Sequence, residues 1–171
     1  MFRPPIGPSA GVPAIWTIFM ALTDLVVPQA VVPSLRVNSK KQALQELATR
    51  AAAMCGRSER EVLDVLMQRE KLGSTGIGSG VAIPHGKLAR LERLFGVFAR
   101  LERPIDFGAV DLQPVDLVFL LLAPEAAGAD HLKALARIAR LLRDTEIAHK
   151  LRESRDAEAL YAVLMSGSDE V

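Results

Sequence analysis

The run VDLVFLLLA at residues 115–123 leaves a chain of this size few architectures. It is apolar at odd and even positions alike, carries one charge, and has the length of a strand rather than of a helix. A strand apolar on both faces must be covered on both, which connections that lay helices over a sheet provide. Residues 115–123 are therefore expected to form a central strand of an α/β layered domain. Around it, residues 95–101 (FGVFARL) alternate as a strand does, and residues 31–37 (VVPSLRV) read as another, with Pro33 suiting a sheet edge. Val81, Ala82 and Ile83 form a short buried strand that Pro84 is expected to stop. Residues 87–93 then read as a polar connection, and 104–113 as turn-rich, with at most a short strand at 105–107.

Helices punctuate these strands. Ser39 is placed to cap a helix to about Met54, with Leu44, Leu47, Ala48 and Ala51 inward and Gly56 just past its end. Ser58 and Glu61 fit a capping box, opening a second helix with Val62, Leu63, Val65 and Leu66 inward. It should stop by Gly73, leaving Arg69 and Lys71 in its last turn. Asp130 is expected to cap a helix to about Arg143 with Leu132, Leu135, Ala136, Ala139 and Leu142 inward. Asp144 opens a shorter helix through Leu151, and Asp156 a last one through Met165, followed by a polar, frayed SGSDEV.

One domain, residues 20–171, accounts for all of this. The proline-rich residues 1–19 read as a loosely ordered upstream extension, with Met20 the start. The apolar run at 14–22 falls short of the roughly 20 residues a membrane span needs. Only Arg3 precedes it as a charge and no small-residue cleavage site follows closely, which argues against a signal peptide. The formal net charge is +1 with both signs interspersed, so neither a nucleic-acid nor a membrane-surface footprint is expected. Cys55 is alone, which excludes an internal disulfide and suits a reducing, cytoplasmic setting.

Chemistry concentrates in residues 73–86, GSTGIGSGVAIPHG. Glycines let backbone N–H groups approach a ligand closely, so Gly73, Ser74, Thr75, Gly76 and Gly86 are candidate members of an anion cradle. His85 leaves the carboxyl end of the short strand, where sites of open α/β sheets collect. It suits nucleophilic attack or proton transfer near neutral pH, or packing at a strand end. His131 opens a helix, where an anion is favoured and an imidazolium is not; a surface residue in a first turn is the alternative. Arg69 can offer a fork to an anion or simply complement a helix C-terminus. His149 reads as solvated. Glycines followed by Lys-Ser/Thr, a nucleotide-binding G-x-G-x-x-G after a strand, zinc-ligand spacing and a G-x-S-x-G elbow are all missing, so neither a metal nor a nucleotide cofactor is expected.

The stretch 69–87, REKLGSTGIGSGVAIPHGK, resembles the active-site signature of the fructose/mannitol-type (type-2) enzyme IIA domains of the bacterial phosphotransferase system. IDFGAVDLQPVDLVFLLLAP at 105–124 and Asp130-His131-Leu132 continue the resemblance, which spans about residues 22–165 and is nearest to the nitrogen-regulatory enzyme IIA. It implies a mixed β-sheet flanked by helices on both sides. It implies that His85 accepts a phosphoryl group from an HPr-type phosphocarrier of the nitrogen branch, forming a tele-phosphohistidine. His131 would assist, Arg69 would steady the charge, and the phosphorylation state would regulate partner proteins. The alternative is a sugar-specific enzyme IIA that passes the group to the IIB domain of a permease. An apolar collar of Ile77, Ile83 and Phe107 would receive the donor protein.

Overall fold

A computed structural model of the chain describes Leu22 and residues 24–170; the expectations for residues 1–19 lie outside them. In chain order the strands are β1 (Val31–Leu35), β2 (Gly76–Gly78), β3 (Val81–Ala82), β4 (His85–Leu88), β5 (Phe95–Ile105) and β6 (Val115–Pro124). The helices are α1 (Lys40–Cys55), α2 (Glu59–Lys71), α3 (Ala129–Arg143), α4 (Thr145–Glu153) and α5 (Ala157–Glu170).

The apolar run becomes β6, the middle of a mixed sheet ordered β1-β5-β6-β3-β2, with every residue from Leu117 to Ala123 buried. β5 runs antiparallel to β6, and β1 parallel to β5 at the edge that Pro33 suggested. β3 and β4 run parallel to β6 on its other side. Helices cover both faces: α1 and α2 pack on each other and on β5 and β4, while α3, α4 and α5 pack together and on β6 and β1.

Pro84 interrupts a strand without ending it. Val81 pairs with Leu117, Ala82 with Val118, His85 with Leu121 and Gly86 with Leu122, so one register runs through the proline. Proline lacks a donor but keeps an acceptor, and its carbonyl takes the Leu121 N–H at 2.9 Å. Lys87 and Leu88, expected in a connection, therefore belong to β4. β5 likewise extends past Leu101 to Ile105, because a register shift against β6 between Arg100 and Ile105 accommodates Pro104.

Helix α3 differs from expectation in phase. Its inward residues are His131, Ala134, Arg137, Ile138, Leu141 and Leu142, whereas Leu132 is 67% exposed and Ala136 is also outside. Apolar residues lie on two stripes of this helix one residue, or about 100°, apart, and the stripe anchored by Ile138 and Leu141 wins. Asp130 lies inside the first turn, and the cap position falls to Gly128, whose φ of 53° is a conformation glycine tolerates. The rotation carries His131 inward. The SGSDEV segment does not fray through Ser168: Arg137 donates to the Ser168 carbonyl at 3.0 Å, and Gly167 packs against Leu141 and Ile147, where a side chain would collide. Among the described residues no helix is long and apolar enough to cross a membrane.

Candidate functional site

Three elements meet around His85, the first residue of β4. Ser58 caps α2 by accepting the Glu61 N–H at 3.1 Å, and the helix delivers Arg69 in its last turn. α2 can lie this close to β4 because residue 86 is glycine: a Cβ there would sit 2.9 Å from Cγ2 of Val65. From the opposite side the first turn of α3 brings His131, 7% exposed, with its ring centroid 5.4 Å from that of His85. Val65, Gln68, Arg69, Leu72, Gly86 and Lys87 complete an open cleft of about 350 Å³ around the two imidazoles.

The hydrogen bonds fix the state of His85. Nδ1 lies 2.8 Å from the Ile83 carbonyl, which can only accept, so Nδ1 carries the proton. Nε2 is then the lone pair, and Arg69 Nε donates to it at 3.2 Å while Arg69 Nη1 donates to the Gly73 carbonyl at 3.0 Å. Burial pushes the pKa of His85 below the ordinary 6.5, aided by Arg69 and opposed by the Ile83 hydrogen bond and the Glu70 carboxylate. His131 is also pushed down, by burial first and then by His85 and Lys87. Its Nδ1 is buried without a hydrogen-bond partner. The pair thus favours two neutral imidazoles, one presenting a nucleophilic nitrogen and the other an unsatisfied polar atom.

Of the residues singled out in the sequence, the structure brings His85, His131, Arg69 and Gly86 together in one cleft. The glycine-rich stretch is a different object from the expected cradle. Gly76–Gly78 and Val81–Ala82 form a hairpin whose tip, at Ser79 and Gly80, meets Arg152 and Asp116. The donors expected at its start are already engaged. Thr75 N and Oγ1 both donate to Glu70, Ser74 Oγ donates to the Phe107 carbonyl, and Gly76 N donates to Ser74 Oγ. Gly73 contributes an acceptor, the carbonyl that holds Arg69. Ile83 and Phe107 are core residues, 3% and 0% exposed, so they form no collar. The apolar surface at the cleft is Leu72, 84% exposed. His149 is exposed on α4, as expected. Gln68, Glu70 and Lys87 were missed; Lys87 closes the recognisable PHGK and was the easiest to find, whereas Glu70 looks like any helix-end acid until its partners are seen.

The chain has relatives. A family model described as "Phosphoenolpyruvate-dependent sugar phosphotransferase system, EIIA 2" matches residues 25–167. A nitrogen regulatory protein of Bradyrhizobium diazoefficiens is 72% identical over 145 residues, covering 85% of this chain and 95% of that protein. One from Escherichia coli is 45% identical over 128 residues, 74% of this chain and 78% of its own. The crystal structure of nitrogen regulatory protein IIA-Ntr from Neisseria meningitidis superimposes with a TM-score of 0.80 at 36% identity, covering 84% of this chain and 98% of that one. The matched span contains the β6 core, both imidazoles and the arginine between α2 and β4, and on that footing the chain belongs to the type-2 EIIA family of the phosphoenolpyruvate-dependent sugar phosphotransferase system.

Proposed function

We propose that this phosphoryl carrier of the IIA type accepts its phosphoryl group on Nε2 of His85 from an HPr-type phosphocarrier of the nitrogen branch, and regulates partner proteins through its phosphorylation state. The observation that carries the reading is the fixed tautomer: the Ile83 carbonyl holds the Nδ1 proton and leaves Nε2 free of one. Transfer between two histidines asks for little else than position and donors for the phosphoryl oxygens. The Nε2 lone pair attacks phosphorus, the P–N bond of the donor breaks, and its electron pair returns to the donor imidazole. As Nε2 becomes bonded, the Arg69 N–H that rested on it is released to the phosphoryl oxygens, and His131 lies within reach to supply a further contact. The ring positive charge that develops is stabilised by Nδ1–H donating to Ile83. The domain that does this is residues 20–171, of which the family match covers 25–167.

Incubation with general and nitrogen-branch phosphocarriers, each charged from phosphoenolpyruvate, tests the reading. Faster labelling from the nitrogen-branch carrier is expected; faster labelling from the sugar-branch carrier with onward transfer to a IIB domain would replace it with the sugar-transport alternative. For His131→Ala we expect a folded protein whose transfer is slower by about a hundredfold, the usual loss for one contact to developing charge. An unchanged single-turnover rate would remove His131 from the reaction.

The pH dependence has a defined sign. Both imidazoles have folded-state values below the ordinary 6.5, so the unfolded chain binds more protons as pH falls through that value. Their contribution to stability is complete above pH 6.5 and is lost as pH drops toward their folded values. The acid limb of the transfer rate should likewise lie below pH 6.5, measured over a series from about pH 5 to 8. An acid limb with its midpoint at or above pH 6.5 would contradict it.

A further inference from the structure

Next to Arg69 lies an ion pair with a buried carboxylate that the transfer chemistry does not touch. The Glu70 side chain is 5% exposed, and its Oε1 accepts from Lys40 Nζ at 2.7 Å. Oε1 also takes the Thr75 N–H at 2.9 Å, and Oε2 the Thr75 hydroxyl at 2.7 Å. Lys40 is bound in turn to the Phe107 carbonyl at 3.1 Å, and its ammonium lies 5.0 Å from the centroid of the Phe107 ring. Every one of these partners belongs to a different element or loop.

The pair is set against local electrostatics. Lys40 is the first residue of α1, where a cation is disfavoured, and Glu70 is in the last turn of α2, where an anion is disfavoured. Burying the Glu70 carboxylate costs further, with Lys40 29% exposed, so a pair like this is weak evidence for stability alone. A local rule broken this way points to a demand elsewhere in the molecule. The demand is visible one residue away. Glu70 fixes Thr75, and Phe107 fixes Ser74 through a 2.8 Å bond, so the β2 end of the turn between α2 and β2 is held and tied back to α2 through Glu70. That turn carries the Gly73 carbonyl, the anchor of Arg69 Nη1, and Arg69 Nε rests on Nε2 of His85.

We propose that Glu70 is a positioning residue for the proposed transfer at His85: locked by Lys40 and Thr75, it holds the turn whose Gly73 carbonyl aims the Arg69 guanidinium at Nε2. The inference rests on the proposed phosphoryl acceptance. Glu70 touches neither His85 nor any incoming group and acts through Arg69. The carboxylate also bears on His85 at a distance, opposing the fall in its pKa, which gives a second way to observe it.

The test is a double-mutant cycle on the full chain. Glu70→Gln keeps the shape and removes the charge, and it should lower the saturating single-turnover rate by about tenfold or more while leaving the half-saturating donor concentration within about twofold. Lys40→Met and Thr75→Val should move the same parameter in the same direction, and they replace Glu70→Gln if it fails to fold. In an Arg69→Met background Glu70→Gln should cost almost nothing more, because the arginine through which it acts is gone. Arg152→Met, which breaks the Asp116 pair at the hairpin tip, should lower stability and leave the rate unchanged. NMR of the unphosphorylated protein reads the positioning itself: the Arg69 Nε–H resonance should move in Glu70→Gln, and His85 should titrate at lower pH than in wild type. A wild-type rate in Glu70→Gln, losses that multiply independently with Arg69→Met, or an equal rate loss in Arg152→Met would each overturn the proposal. If wild type accepts no phosphoryl group, the functional reading is what fails; an unmoved Arg69 Nε–H resonance in Glu70→Gln would then overturn the positioning separately.

Discussion

His85→Ala should take up no label from a charged phosphocarrier, while its circular dichroism and unfolding midpoint stay close to wild type. No other side chain can replace the lost atom. His131 offers an imidazole, but its Nδ1 has no acceptor to hold a proton there and leave Nε2 as the lone pair, and His149 is on the solvated side of α4. The fold should survive because the side chain of His85 is half-buried at the cleft and its strand pairing with Leu121 is made by the backbone. The measurement is acid-labile, base-stable label retained by the protein after gel separation. Label on the variant would sink the assignment of His85 as acceptor, whatever became of the family membership.

Phe119→Ala should cost about 3–5 kcal/mol, the largest stability loss we expect from one substitution. Phe119 is fully buried in β6 and pairs in register with Phe98 of β5, ring centroids 6.5 Å apart. Its ring fills the space that Gly96 leaves: a Cβ at residue 96 would lie 2.7 Å from Cε1 of Phe119. Truncation leaves a hole with glycine on one side, so transfer and cavity penalties add. Urea unfolding checks this, and a loss below about 1 kcal/mol would mean the site collapses. Phosphoryl acceptance per folded molecule should be unaffected, since Phe119 does not line the cleft.

The sequence announces most of this fold through the apolar run of β6, the Ser39 and Ser58 caps and the proline at the β1 edge, because burial on two faces and capping leave local traces. What stays hidden depends on choices made in three dimensions. Helix α3 carries two apolar stripes, and only packing against the sheet selects the one that turns His131 inward. Pro84 looks like a stop until β6 supplies the partner for its carbonyl. The donors of Ser74 and Thr75 look available until Phe107 and Glu70, distant or unremarkable in sequence, are seen to consume them. His85 and Arg69 were legible from the signature; the acceptor that sets the histidine tautomer was not, since a main-chain atom has no letter.

That acceptor has an evolutionary corollary. The group that decides which ring nitrogen of His85 bears the proton is the Ile83 carbonyl, and no point mutation deletes a carbonyl. Codon changes at position 83 can alter the apolar side chain beneath the strand and still transmit the same proton preference to every descendant. In the proposed transfer Arg69, Glu70 and His131 act through side chains, which a substitution can remove. A substitution can therefore change how the phosphoryl group is met, while the choice of ring nitrogen stays written in the main chain.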